Sequence, residues 1–170
     1  MKRIKILCLI ILSVSAVLST SCAVKPEEKT LEQRAREIHQ RVLTVDTHID
    51  TPSLLLNSEW KIGERHDSGG RRGSKVDLPR MAEGGLDAAF FAVFTGQGER
   101  TEQGYLRAKD SADRILDAIH KMAEDYPHLV EIATSPEDAY RLEKQGKRAA
   151  FIGMENGYPI GKDLSLLKEY

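Results

Sequence analysis

The sequence predicts an α/β fold built on a parallel sheet, and three observations carry that expectation. Two continuous apolar runs, Ala88-Ala89-Phe90-Phe91-Ala92-Val93-Phe94 and Ala149-Ala150-Phe151-Ile152-Gly153-Met154, have glycines close to both ends. Continuous rather than alternating apolarity marks strands covered on both faces. Between the two runs, Ile115, Leu116, Ile119, Met122, Ala123 and Tyr126 recur at helical spacing. A third apolar segment, Val42-Leu43-Thr44-Val45, reads as a buried strand and precedes both runs. Strand, helix, strand, helix, strand with short glycine-marked loops implies parallel pairing through right-handed crossovers.

The first 22 residues stand apart from that pattern. Met1-Lys2-Arg3-Ile4-Lys5 is basic, and the apolar run Ile6 to Leu18 is too short and wrongly flanked for a membrane span. Leu18-Ser19-Thr20-Ser21-Cys22 resembles a bacterial lipoprotein signal, with Cys22 as the lipidation site. Ser19 stands where such signals usually carry leucine, and an ordinary secretory peptide is the alternative. Either way the expectation is export, and lipidation would give a membrane-anchored lipoprotein facing the periplasm or cell surface. Residues 23–30 then read as a polar tether.

Composition narrows the class. Cys8 falls within the leader and Cys22 at its end, so no cysteine is left for an internal disulfide. Loss of the leader removes Lys2, Arg3 and Lys5, leaving 22 basic against 26 acidic residues, a net charge of −4. No basic face for nucleic acid is expected. A chain 30% charged and 41% hydrophobic has the composition of a soluble globular domain.

The remaining elements follow in order. A helix is expected from about Leu31 to Arg41, and a short helix carrying Leu54, Leu55 and Leu56 after Thr51-Pro52. Gly63 to Gly73, with four glycines and three arginines, reads as a solvated surface loop. Asp77 opens a short helix that stops at Gly84-Gly85, and Pro127 ends the long amphipathic helix. Leu129 to Ala133 is either an edge strand or a connector. Ser135 as N-cap with Pro136 at the first turn starts a helix that runs to Gln145.

The chemistry concentrates at Asp46-Thr47-His48-Ile49-Asp50. Alternation along a strand puts Asp46, His48 and Asp50 on one face and Leu43, Val45 and Ile49 on the other. One imidazole and two carboxylates at a strand end suit metal ligation. Glu155 closes the last strand, at the carboxyl edge where ligands gather in parallel folds. Asp46 lies deeper, so a supporting hydrogen bond suits it better than ligation. His39, His66, His120 and His128 lack ligand spacing and read as structural or solvated. There is no Gly-x-Ser-x-Gly elbow, no phosphate loop and no catalytic thiol.

Four segments taken together resemble the membrane (renal) dipeptidase family of zinc peptidases. They are Asp46 to Asp50, Val76-Asp77-Leu78-Pro79-Arg80-Met81 with Gly84-Gly85, Phe90-Phe91-Ala92-Val93, and Ile152-Gly153-Met154-Glu155-Asn156-Gly157. The resemblance implies a (β/α)8 TIM-type barrel, of which this chain would supply about the first three βα units. It further implies dipeptide hydrolysis by a hydroxide activated between two zinc ions, with His48 and Asp50 as ligands and Glu155 bridging. The family usually reads Glu-Gly-Gly where this chain has Glu155-Asn156-Gly157. Two further histidine ligands and the acid/base group are expected beyond Tyr170, so residues 31–170 are expected to be an incomplete and inactive barrel domain. Oligomeric state stays open, a homodimer included. Two other readings stand beside this one: a lipid-anchored, non-catalytic binding protein on the same fold, and an amidohydrolase acting on another amide. The latter more often carries His-x-His on its first strand.

Overall fold

The computed structural model describes residues 28–67, 69, 74–168 and 170. The leader, Cys22 and residues 23–27 of the tether lie outside the described residues, as do positions 68 and 70–73 of the glycine-rich loop. The chain divides into two units, up to Arg34 and from Ala35 onward. The described part of the first is a helix start. Thr30 Oγ1 accepts from the Gln33 amide at 3.2 Å while the Thr30 amide donates to Gln33 Oε1 at 2.9 Å. That reciprocal cap opens helix α1, Leu31–His39, which ends slightly short of the expected Arg41.

The second unit holds a four-stranded parallel sheet. Its strands are β1 (Val45–Ile49), β2 (Ala88–Phe94), β3 (Val130–Ile132) and β4 (Arg148–Glu155), in the order β1-β2-β4-β3. Helices α2 (Leu78–Gly84), α3 (Glu102–Asp125) and α4 (Pro136–Lys144) connect them. The segment Leu129 to Ala133 therefore resolves as a short edge strand, adding a fourth to the three expected. Its three residues pair only with Arg148, Ala149 and Ala150.

Each helix begins where the sequence provides a cap. Asp77 accepts from the Arg80 amide at 2.8 Å to start α2, and Gly85 closes it at φ +69°. Thr101 accepts from the Gly104 amide at 3.1 Å to start α3. Ser135 and Asp138 form a capping box ahead of α4, with Pro136 in its first turn.

The main core lies between β2 and α3. Ala89, Phe91 and Val93 meet Ala112, Ile115, Ile119 and Met122, joined by Ile49, Leu78 and Met81. Each large apolar side chain buried there stabilises the fold by about 1.5–3 kcal/mol. Ile152 and Met154 of β4 pack on the same side, so Phe151, Gly153 and Glu155 face the other way. On that second face Phe90 stacks on Phe151 with ring centroids 4.9 Å apart.

Polar groups tie the amino ends of three strands together. Asp87 accepts from the Thr44 amide at 3.0 Å and from Arg148 Nη1 at 3.2 Å. Arg148 Nη1 also donates to the Leu86 carbonyl at 3.1 Å. This network clamps β1, β2 and β4 at the edge opposite Glu155.

One expectation changes. The first strand is not buried but lies at the sheet edge, where one neighbour leaves Val45 45% exposed. The short helix expected around Leu54, Leu55 and Leu56 is present as the 3-10 helix Thr51–Leu56, with Pro52 in its first turn. Leu164–Lys168 is likewise a 3-10 helix. Asp163 Oδ1 there accepts from both the amide and the hydroxyl of Ser165, at 2.9 and 2.6 Å, an Asx turn that tightens the segment.

Candidate metal centre

His48, Asp50 and Glu155 come together at the carboxyl edge of the sheet. His48 lies in β1, and Asp50 follows that strand as the N-cap residue of the Thr51–Leu56 turn. Glu155 is the last residue of β4. Strand β2 runs between them, so the cluster spans its end. His48 Nε2 lies 3.2 Å from Asp50 Oδ1 and 3.1 Å from Glu155 Oε2. One donor atom from each of the three falls within 4.8 Å of the others.

The two separations from His48 fit a shared cation. With bonds of about 2.1 Å, donors on one tetrahedral zinc lie on the order of 3–3.5 Å apart. Two carboxylates and an imidazole form a donor set in which a divalent cation offsets like-charge repulsion. All three side chains are solvent-accessible, which leaves the site open to ligands. Among the described residues, no other three or more such donors converge.

A β-bulge corrects the expected alternation. Val45 pairs with Ala88 and Asp46 with Ala89, but Ile49 pairs with Phe91, so β1 carries one residue more than β2 between these points. Ile49 thus keeps to the core face, while Val45 falls on the face of Phe90 and His48. Asp46 and His48 do not share a face by simple period-two alternation. Instead Asp46 Oδ1 accepts from the His48 backbone amide at 3.0 Å, within the bulge. A cavity of ≈ 370 Å³ beside the cluster is lined by Asp46, His48, Asp50, Ser53, Ser74 and Lys75 among others.

His39 and His66 make local contacts. His39 Nε2 donates to the Gly84 carbonyl at 2.8 Å, tying the end of α1 to the end of α2. His66 Nε2 donates to the Lys61 carbonyl at 2.7 Å, and its ring stacks on Trp60 at 4.8 Å. In the glycine-rich loop, Arg65 pairs with Glu83. Asp77, fully buried, accepts from the His66 amide at 2.9 Å and from Arg80 Nε at 2.6 Å. Burial alone would raise its carboxyl. The two amides and the Arg80 guanidinium outweigh that and hold it below the ordinary aspartate value of 3.8.

One residue beside the site was not singled out from the sequence beyond its departure from the family motif. Asn156 sits at φ +73°, a left-handed conformation that asparagine tolerates better than most residues. An Asn-Gly pair directly after a strand is the signal that points to it.

A parallel α/β sheet with imidazole and carboxylate donors at its carboxyl edge is the setting used by barrel-type metal-dependent hydrolases. Comparison with known proteins gives the family. The profile of the membrane dipeptidases, peptidase family M19, matches residues 32–170, and the chain belongs to that family.

The chain is similar to the dipeptidase ataJ of Aspergillus terreus, 22% identical over 79% of this chain and 34% of that protein. It is similar to Dipeptidase 3 of Homo sapiens, 25% identical over 85% of this chain and 28% of that one. Among solved structures, the probable dipeptidase PvdM from Pseudomonas aeruginosa superposes with a TM-score of 0.66 at 33% identity, over 81% of this chain and 34% of PvdM. The sheet is thus part of a TIM-type barrel. The chain spans about a third of the length of the relatives it matches.

Proposed function

We propose that this chain is the N-terminal portion of an exported zinc dipeptidase, anchored to a bacterial membrane through Cys22. The observation that carries the reading is the convergence of His48, Asp50 and Glu155 at the carboxyl edge of a sheet from the dipeptidase family. His48 and Asp50 would hold one zinc ion, and Glu155 would be shared between it and a second. Bound zinc supplies a water acidic enough to act near neutral pH and polarises the peptide carbonyl.

The residues of this chain supply binding and orientation. Asp46 fixes the His48 backbone inside the bulge and so sets the direction of the imidazole. The Thr51–Leu56 turn holds Asp50 at its start, where the Ser53 hydroxyl donates to the Asp50 carbonyl at 2.9 Å. The cavity beside the cluster leaves room for a dipeptide end. The remaining ligands and the acid/base group belong to the portion of the fold beyond Tyr170, so residues 1–170 alone lack turnover. Metal analysis of the full-length protein tests the assignment: His48→Ala should retain less zinc than the wild type, and equal zinc content would overturn it.

A further inference from the structure

Asn156 directly follows Glu155 and is, among the described residues, the one non-glycine with a left-handed backbone. Such a conformation costs on the order of 1 kcal/mol for an L residue, so the surrounding contacts must hold it in place. Its side chain is engaged at both ends. Nδ2 donates to the Thr95 carbonyl at 2.8 Å, and Oδ1 accepts from the Tyr158 amide at 3.1 Å.

The two contacts reach different segments. The β2–β4 register ends at the pair Phe94 and Glu155. The Asn156–Thr95 bond adds one more rung through a side chain, just past the last strand residue. Tyr158, only 8% exposed, donates its hydroxyl to the Glu99 carbonyl at 2.5 Å in the loop after β2. Gly104 admits that arrangement, since a Cβ there would run into both the Glu99 carbonyl and the Tyr158 hydroxyl. The turn after β4, the end of β2 and the loop beyond it are thereby joined next to Glu155.

We propose that Asn156 is a positioning residue for Glu155: its side chain fixes the turn after β4 to β2 and so holds the Glu155 carboxylate beside His48. This rests on the ligand role proposed above for Glu155. The substitution that isolates the side chain is Asn156→Gly, which keeps the left-handed backbone and deletes both hydrogen bonds. Asn156→Asp keeps an acceptor for the Tyr158 amide but sets a carboxylate against the Thr95 carbonyl.

The test is zinc affinity, measured by competition with a chromophoric chelator on metal-free full-length protein, alongside circular dichroism and thermal unfolding. Asn156→Gly should fold and bind zinc about tenfold more weakly or worse, the scale on which groups supporting a ligand act. Asn156→Asp should weaken binding similarly, and it serves as the readout if the glycine variant does not fold. Wild-type zinc affinity in a folded Asn156 variant overturns the proposal, even with a lowered melting temperature, because that pattern marks a purely structural residue. Glu155→Ala separates the two ideas. If it loses zinc while Asn156→Gly does not, only the positioning role falls; if Glu155→Ala binds zinc normally, the ligand role falls and takes the positioning role with it.

Discussion

His48 Nε2 on the edge strand β1 and Glu155 Oε2 at the end of β4 stand 3.1 Å apart across the end of the strand between them. The approach depends on register. A slip of β4 by one residue would turn Glu155 to the helix-covered face and bring Met154 to the site. The β2–β4 ladder, paired residue for residue from Ala88–Ala149 to Phe94–Glu155, prevents that slip.

The Asp77–Arg80 pair is expected to matter most for stability at low pH. Asp77 is fully buried and caps α2, so Asp77→Ala should destabilise the fold by about 3 kcal/mol in urea unfolding. Because its folded-state pKa is depressed, its contribution is complete above the ordinary value of 3.8 and is lost as pH falls through the lower folded value. Unfolding curves should therefore show wild-type stability falling below about pH 4 more steeply than that of Asp77→Asn. Parallel curves for the two proteins would contradict this.

At the opposite edge of the sheet, Asp87→Ala should cost about 3 kcal/mol, because it strands a largely buried Arg148 charge. Arg148 would keep only the neutral Leu86 and Gly146 carbonyls as partners, at 3.1 and 3.3 Å, and its Nε has none. Replacing the pair together should cost less than the single change, and a double-mutant cycle reads the difference.

Gly104→Ala should lower the melting temperature, since the added methyl displaces Tyr158 from the Glu99 carbonyl. Overpacking of this kind typically costs about 1–3 kcal/mol. A melting temperature equal to wild type would show that the contact is dispensable.

The 170-residue chain purified alone is expected to hydrolyse no dipeptide. Phe90 and Phe94 lie 36% and 48% exposed on the sheet face away from α3, and β1 presents an open edge. That combination favours self-association, which light scattering would detect. Turnover by the isolated chain would contradict the proposed division of the site.

Much of this arrangement was legible in the sequence because it rests on local signals. Asp77 and Ser135 cap helices from positions that short-range patterns mark, and the apolar runs place β2 and β4. Glu155 at a strand end and the His48-Ile49-Asp50 spacing pointed to the edge where the donors gather. What stayed hidden depends on contacts distant in the chain. The bulge between Asp46 and Ile49 arises from pairing with β2, so alternation read from β1 alone misassigned the face of Val45. The edge position of β1, the Thr44–Asp87–Arg148 network and the tie from Asn156 to Thr95 all require knowing which strands are neighbours.

The proposed role of Glu155, shared between two zinc ions of which one is also held by His48 and Asp50, is open to direct measurement. Zinc content per chain of the full-length protein, measured by plasma mass spectrometry for wild type and Glu155→Ala, tests it most directly. Glu155→Ala is expected to lose zinc from both positions and to lose turnover with it. A folded Glu155→Ala protein that retains the wild-type zinc content would contradict it.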